Sequence, residues 1–271
     1  MRSAEHPCVG PAPPSHMRES TAVAWVESQS PSFAARHESA DADAVMALLD
    51  RLEEFRSEME ERFQTAPGDV SVVVHPGPLG LTLAHPWLPL ARMVAAPAAR
   101  RYMAGWFASG EVHVLAPAAL EERASSVPGS REALELSPQH EYAHLVIGAN
   151  NARLPPPFNP RSFRRYLRLA WLCEGAASWL SGQADLLRPA IARRLREGPE
   201  PEFPPRARDA QLLGGSVFSL LAGERGGEAC VELASQPDPE GSSAALQRAF
   251  ERPLREVERD WRAQLAAATA A

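Results

Sequence analysis

The chain has 271 residues, a formal net charge of −6 and a pI of about 5.8. This length is enough to bury the core of one large domain. The negative charge argues against a surface that follows the phosphates of a nucleic acid. All 28 basic residues are arginine. Without lysine the chain has neither a Walker A motif nor a Schiff-base lysine, which excludes P-loop and pyridoxal chemistry.

Cysteine spacing and hydropathy indicate where the protein is expected to be found. Cys8, Cys173 and Cys230 are far apart and form no C-x-x-C pair, so neither a disulfide framework nor a cysteine zinc site is expected. No stretch reaches the roughly 18 apolar residues of a membrane span. Residues 1–14 lack the apolar core of a secretory signal. We therefore expect a cytoplasmic protein.

Residues 1–40 contain proline, serine, glutamate and histidine without an apolar period, which predicts a disordered N-terminal arm. Residues 41–271 are expected to form a single domain, with a helix and a sheet in 41–135 and helices in 136–271. The domain begins with an amphipathic helix from Asp41 to Phe63, in which apolar residues recur at helical spacing.

Three strands are predicted after this helix. The β-branched run that ends at His75 is the first, from Asp69, and Pro76-Gly77 closes it. Residues 102–107 and 111–115 are the second and third, joined by a tight turn at Ser109-Gly110. The expected fold class is α+β, with a small N-terminal β-sheet followed by a mostly helical part.

Two helix starts are predicted in the second half. At Ser137-Pro138, serine is the expected N-cap and proline lies in the first turn of a helix that ends near Gly148. After a proline-rich loop, Asn159-Pro160 repeats the signal and opens one helix from Arg161 to Leu180. A loop is predicted over 195–208, and further helices over 210–222, 227–234, 243–250 and 253–265.

The segment His140-Glu141-Tyr142-Ala143-His144 matches the pattern H-E-x-x-H. On a helix, histidines four residues apart lie on one face, so both imidazoles can bind one zinc ion. The intervening Glu141 then lies beside a metal-bound water. The alternative is an exposed polar helix face that matches the pattern by chance.

Glu174 is the candidate for a third ligand, because zinc hydrolases use three protein ligands and leave one position for water. A carboxylate in the middle of an apolar helix face must be paired or bound to a metal. The small residues Gly175 and Ala176 are expected to let this helix approach the H-E-x-x-H helix closely. The alternative for Glu174 is a salt bridge to a nearby arginine, namely Arg164, Arg165 or Arg168.

In such a site Glu141 is expected to act as general base toward the water that attacks a peptide carbonyl. The resulting oxyanion needs a further hydrogen-bond donor. Tyr166, two turns before Glu174, is one candidate, and His113, on a predicted strand beside the cleft, is another. For both residues an ordinary place in the core or on the surface is the alternative.

The order of these features resembles the peptidase MA-like metallopeptidases, the glutamate-zincin branch that includes thermolysin and the aminopeptidase N group. The matching residues are His140, Glu141 and His144 in the first motif and Glu174, Gly175, Ala177 and 179–182 in the second. The resemblance implies a zincin-like fold and a peptide or protein substrate. It also implies one zinc ion held by His140, His144 and Glu174.

The chain departs from the family pattern at several places. Twenty-nine residues separate His144 from Glu174, more than in thermolysin or the aminopeptidases. Ser178 stands where thermolysin-like enzymes carry an aspartate that orients a histidine, and serine adds no charge to that ligand.

Two hypotheses of function follow. The first is a zinc metallopeptidase, expected to be an endopeptidase because the chain lacks a G-x-M-E-N-type motif for gripping a free amino terminus. The second is a non-catalytic, zinc-stabilised interaction module that retains the ligands. No pattern in the sequence indicates an oligomeric state.

Overall fold

The computed structural model describes residues 24–85, 90, 101–236 and 240–270. In these ranges a five-stranded sheet precedes a mostly helical part, which confirms the predicted α+β class. No described helix has both the length and the apolar character needed to cross a membrane.

The sheet has the strand order β1-β2-β3-β5-β4. Its strands are β1 (Trp25–Gln29), β2 (Phe33–Glu38), β3 (Val70–His75), β4 (Gly105–Ala108) and β5 (Glu111–Leu115). Two antiparallel hairpins, β1-β2 and β4-β5, flank the parallel pairs β2-β3 and β3-β5. Parallel neighbours need a crossover connection, which the helix α1 (Ala42–Arg62) supplies between β2 and β3.

The prediction of a disordered arm is wrong for residues 24–40, and residues 1–23 lie outside the described part of the chain. β1 and β2 belong to the same sheet as β3, so no domain boundary falls at residue 40. Phe33, Ala35 and His37 are buried at alternate positions of β2. This period of two is hard to see among polar residues, and the strand depends on pairing with distant partners such as Val72.

The local predictions for the rest of the first half are confirmed. α1 buries six apolar residues on one stripe, namely Val45, Leu48, Leu49, Leu52, Phe55 and Met59. β3 and β5 lie where strands were predicted, β4 begins at Gly105 and not at residue 102, and Gly110 takes the left-handed φ of 72° in the turn between β4 and β5. Three short helices were not predicted: α2 (Pro78–Leu83), α3 (Pro117–Arg123) and α4 (Ser130–Glu135).

The H-E-x-x-H helix, α5 (Ser137–Asn150), differs at both ends from the prediction. Leu136 occupies the N-cap position, and no side chain caps the helix. The helix continues through Gly148, where an added Cβ would lie 2.4 Å from Pro156 Cδ. Glycine at this position thus permits close approach of the proline-rich loop and does not end the helix.

The single helix predicted from Arg161 to Leu180 is two helices, α6 (Pro160–Arg168) and α7 (Ala170–Leu180). The predicted cap is confirmed, because Asn159 and Ser162 form a capping box at the start of α6. The break falls at Leu169, whose N–H bonds to the carbonyls of both Arg165 and Tyr166.

Six helices complete the described chain: α8 (Gln183–Leu186), α9 (Arg188–Glu197), α10 (Ala207–Arg225), α11 (Gly227–Ser235), α12 (Ser242–Phe250) and α13 (Leu254–Ala270). The last four of these helices overlap in sequence with the four helices predicted for this part of the chain. The loop predicted over 195–208 is shorter, since α9 extends to Glu197. A buried bidentate pair joins α9 to α10, with Arg194 Nε 2.7 Å from Asp209 Oδ1.

Two glycines let α7 and α10 cross in backbone contact. A Cβ on Gly175 would lie 2.6 Å from the carbonyl oxygen of Gly214, and one on Gly214 would lie 2.8 Å from the Gly175 nitrogen. The expectation that Gly175 faces the H-E-x-x-H helix is therefore wrong. Its small size serves the crossing with α10, and this crossing fixes the position of the neighbouring Glu174.

A carboxylate secures the first hairpin to α1. Glu53 Oε1 accepts hydrogen bonds from Ser30 Oγ at 2.7 Å and from the Ser32 N–H at 2.6 Å. Partial burial alone would raise the pKa of Glu53, but these bonds outweigh it and hold the pKa below the ordinary value of 4.5.

Gly214→Ala should destabilise the protein by about 1–3 kcal/mol, because the new Cβ meets backbone that cannot move aside. Gly223→Ala is the matched control, since it lies in the same helix with nothing within 4 Å of an added Cβ. We expect it to be neutral or stabilising. Chemical denaturation measures both variants, and equal stability for the two would contradict the close crossing.

Glu53→Gln should lower the free energy of unfolding by about 1 kcal/mol at pH 7, a value discounted for the partial exposure of the group. Because the folded pKa is depressed, this stabilisation is present above the unfolded pKa and is lost as pH falls through the folded pKa. Urea denaturation at pH 7 and pH 3 should show that the difference in unfolding free energy between the parent and Glu53→Gln becomes smaller at low pH. The neighbouring exposed Glu54→Gln serves as control, and a difference independent of pH would contradict the interpretation.

Candidate metal centre

Three buried side chains from two helices meet at one point. His140 and His144 on α5 and Glu174 on α7 are 2%, 3% and 6% exposed. One ligand atom from each lies within 4.8 Å of the other two. The side chains that were predicted to converge do so, and the alternative of an exposed polar helix face is wrong.

The spacing of these atoms fits a small tetrahedral cation. Donor atoms about 2.0–2.1 Å from an ion at tetrahedral angles lie about 3.3 Å apart. Here His140 Nε2 lies 3.2 Å from His144 Nε2 and 3.3 Å from Glu174 Oε2, and His144 Nε2 lies 3.5 Å from Glu174 Oε1. The two Nε2 atoms and the carboxylate therefore surround one point, with the imidazole planes at 82° to each other. This group can hold a metal ion.

Glu141 lies against the edge of the sheet. A Cβ on Gly105 would be 2.4 Å from Glu141 Cγ and 2.7 Å from its Oε1. Only glycine at the start of β4 therefore leaves room for the Glu141 side chain, which is 8% exposed. The Glu141 side chain thus lies against β4, the edge strand of the described sheet.

The two carboxylates of the site have different protonation behaviour. Burial raises the pKa of Glu141 to about 8. Burial would also raise the pKa of Glu174, but the two histidines and the Tyr166 hydroxyl outweigh it and lower that pKa to about 2. The different surroundings make Glu174 a permanent anion suited to a cation and Glu141 a group that can gain or lose a proton near neutral pH.

The two histidines differ in the same way. Burial lowers the pKa of His144 to about 3, which keeps its imidazole neutral, the form that binds metals. Burial also opposes the charged form of His140, but the hydrogen bond to Glu174 and the charge of Glu141 raise its pKa above 6.5. A bound cation would take the place of the proton that His140 and Glu174 attract.

Tyr166 is a hydrogen-bond partner of the ligand carboxylate. Its hydroxyl donates to Glu174 Oε1 at 2.5 Å. In an uninterrupted helix, positions eight residues apart lie about 12 Å apart along the axis. The break at Leu169 brings the two side chains together. The salt bridges to Arg164, Arg165 or Arg168 that were the alternative for Glu174 are not formed in the described structure.

Ser178 lies one turn after Glu174 and is fully buried. Its Oγ has no hydrogen-bond partner within the ranges that the structure describes. It therefore does not orient either histidine through a hydrogen bond here. Its Cβ lies 3.2 Å from the position of a Cβ on Gly215, so Ser178 is a small contact residue between α7 and α10.

The prediction that His113 lies beside the metal centre is wrong. Along β4 and β5 side chains alternate between faces, and His113 pairs with Trp106, whereas Phe107 pairs with Val112. Phe107 faces α5 and stacks on His144, with ring centroids 4.3 Å apart. His113 lies on the opposite face, where its Nδ1 is 3.1 Å from Nε2 of His75.

Sequence reasoning missed the contribution of β4 to the site. Gly105 and Phe107 line it through the close approach to Glu141 and the stack on His144. The signal that could have found them is their shared face, since residues i and i+2 of a strand point the same way. The sequence does not reveal which strand of the sheet lies against α5.

Comparisons with protein-family models, with curated proteins and with solved structures find no match to this chain. The interpretation of function therefore depends on the geometry and chemistry of the site.

Tyr166→Phe should weaken metal binding by about 10- to 100-fold, because it removes the hydrogen bond that orients the ligand carboxylate. Titration with zinc in competition with a chromophoric chelator measures the affinity, and the visible spectrum of the cobalt form reports the coordination. His144→Ala is the reference for loss of a ligand. Parent-like affinity and spectrum in Tyr166→Phe would contradict a positioning role for the hydroxyl.

Proposed function

We propose that this chain is a zinc-dependent metallopeptidase of the peptidase MA-like type, acting as an endopeptidase. The observation that carries this proposal is the convergence of His140, His144 and Glu174, with the buried Glu141 close enough to interact electrostatically with His140 and Glu174. Two imidazoles and one carboxylate form the donor set of catalytic zinc sites, which leave a coordination position open. Zinc is favoured over harder cations because two of the three donors are imidazole nitrogens.

A bound zinc ion would supply Lewis-acid polarisation and lower the pKa of a coordinated water. The protein's own contribution is to place and tune the proton acceptor. Glu141 is the residue proposed to take a proton from the attacking water and later to deliver it to the leaving amine. Its raised pKa suits this exchange, since a group that titrates near neutral pH can both accept and donate a proton.

The position of β4 supports a peptide as the substrate. β4 is an edge strand of the described sheet, and its Gly105 lies next to the Glu141 side chain. The outer backbone groups of such a strand can pair with an extended peptide by strand addition. A peptide bound in this way would run past Glu141 and the ligand set, which is the placement that hydrolysis of its backbone requires.

One observation favours the second candidate, a metal-stabilised module without catalytic turnover. The candidate oxyanion donors are committed elsewhere: Tyr166 donates to Glu174, and His113 lies on the far face of the sheet. A site without such a donor loses a large part of its rate enhancement. In this alternative the ion would stabilise the contact between α5 and α7.

Glu141→Gln should abolish cleavage of denatured casein by the zinc-loaded protein, with a loss of about 100- to 10,000-fold. Metal content should stay at that of the parent, because Glu141 is not a ligand. The control is Glu61→Gln on the exposed surface of α1. Cleavage is followed by release of acid-soluble peptides, and metal by elemental analysis.

The two candidates give different outcomes in this experiment. Bound metal with no cleavage in the parent protein would contradict the peptidase and favour the stabilising module. Cleavage that survives in Glu141→Gln would contradict the assignment of the general base. Absence of bound metal in the parent would contradict both candidates.

A further inference from the structure

Phe158, at the end of the proline-rich loop, touches both walls of the site. Its ring centroid lies 5.1 Å from that of Trp106 and 5.0 Å from that of Phe107 on β4. On the other side it lies 6.1 Å from Tyr166 and 6.4 Å from Phe163, both on α6. The Phe158 ring therefore bridges the gap between β4, at the edge of the sheet, and α6, whose Tyr166 hydroxyl donates to Glu174.

Phe158 packs against the two rings that lie nearest the ligands. Phe107 stacks on His144, and Tyr166 bonds to Glu174, so two of the rings that Phe158 contacts each reach one ligand. The ligands and Glu141 are each at most 8% exposed. A peptide cannot approach these groups while they are covered, and half-buried Phe158 is more exposed than the buried rings of Phe107 and Tyr166 that it contacts.

The contact also lies over the edge of β4. Side chains of consecutive strand residues point to opposite faces, yet Phe158 contacts both Trp106 and Phe107. The Trp106 and Phe107 rings also stack on each other, with centroids 5.7 Å apart, and since β5 pairs along the inner edge of β4, the two rings meet round its outer edge, where Phe158 packs on both. This is the place that an added peptide strand would occupy.

The covered arrangement leaves one polar group unsatisfied. Trp106 is 2% exposed, and its indole N–H has no acceptor among the residues that the structure describes. A buried donor without an acceptor costs stability. An acceptor that arrives when the ring moves, such as a peptide carbonyl, would recover that loss.

We propose that Phe158 is an autoinhibitory plug of the metal centre, which must swing out of the gap between β4 and α6 before a ligand can reach it. This inference depends on the proposed metal site and concerns access to it. The backbone beside the ring is held at α6, since Ser162 Oγ donates to the Pro157 carbonyl and accepts from the Asn159 N–H, each at 2.8 Å. Access therefore comes from rotation of the side chain or movement of the loop before Pro157.

Phe158→Ala should raise the association and dissociation rates of cobalt or zinc together, each by about tenfold, because the ring contacts that hold the site closed are lost. The equilibrium dissociation constant should change by less than about threefold, since the ring can close again over the bound metal, so that open and closed forms bind it equally well and only the rates of entry and exit depend on the ring. Stopped-flow mixing with the metal and with a chelator measures both rates. If the parent cleaves casein, kcat/KM should rise in the variant.

Phe158→Leu retains most of the side-chain volume, so its association and dissociation rates should lie between those of the parent and those of Phe158→Ala. Leu195→Ala, which truncates a half-buried side chain on α9, controls for general loosening and should leave both rates unchanged. Parent-like rates in Phe158→Ala would overturn the plug while the metal site stands. A faster dissociation rate alone, with weaker affinity, would also overturn it, because that result describes a structural contact. Failure of the parent to bind metal would overturn the metal site and the plug together.

Discussion

The burial of the Glu174 carboxylate is the constraint on which the site depends. A carboxylate inside an apolar helix pair is unfavourable unless its charge and its oxygen atoms find partners. α7 brings it there because Gly175 and Gly214 allow backbone contact with α10. Two imidazoles and the Tyr166 hydroxyl then surround it. Any shift of α7 along α10 would separate the carboxylate from these partners, so helix packing and site geometry are a single requirement.

The register of the sheet is the second requirement. β4 presents Gly105 to Glu141 and Phe107 to His144, two positions apart on the same face. A slip of one residue would turn that face over and bring the Trp106 indole against the helix, where a glycine is needed. The antiparallel pairing with β5, joined through Gly110 in a left-handed conformation, excludes this slip. The turn thus determines where the general base of the proposed reaction can lie.

The parts of the fold that the sequence predicts are those with a local signal. The stripe of α1, the capping box at Asn159 and the H-E-x-x-H spacing each lie within a few turns of chain. The parts that it misses depend on distant partners. β2 is stabilised by β3 across the whole of α1, Gly175 packs on a residue 39 positions later, and the role of Gly105 requires knowledge of which strand passes α5. His113 was misplaced for the same reason, because strand alternation fixes relative faces but not which face meets a helix.

The burial that shifts the pKa values of the site residues also restricts access to them. Removal from water keeps His144 neutral, the form that binds metals, and raises the pKa of Glu141 to about 8, where the carboxyl can exchange a proton near neutral pH. A fully open cleft would return both groups toward their values in water and weaken this tuning. A site that closes between turnovers resolves the conflict, because the tuned groups stay dry until a ligand displaces the cover. The proposed plug, Phe158, is aromatic and carried on a loop, so a ligand that displaces it must itself fill an apolar gap. The proposed peptide substrate would do so with its side chains while its backbone pairs with β4.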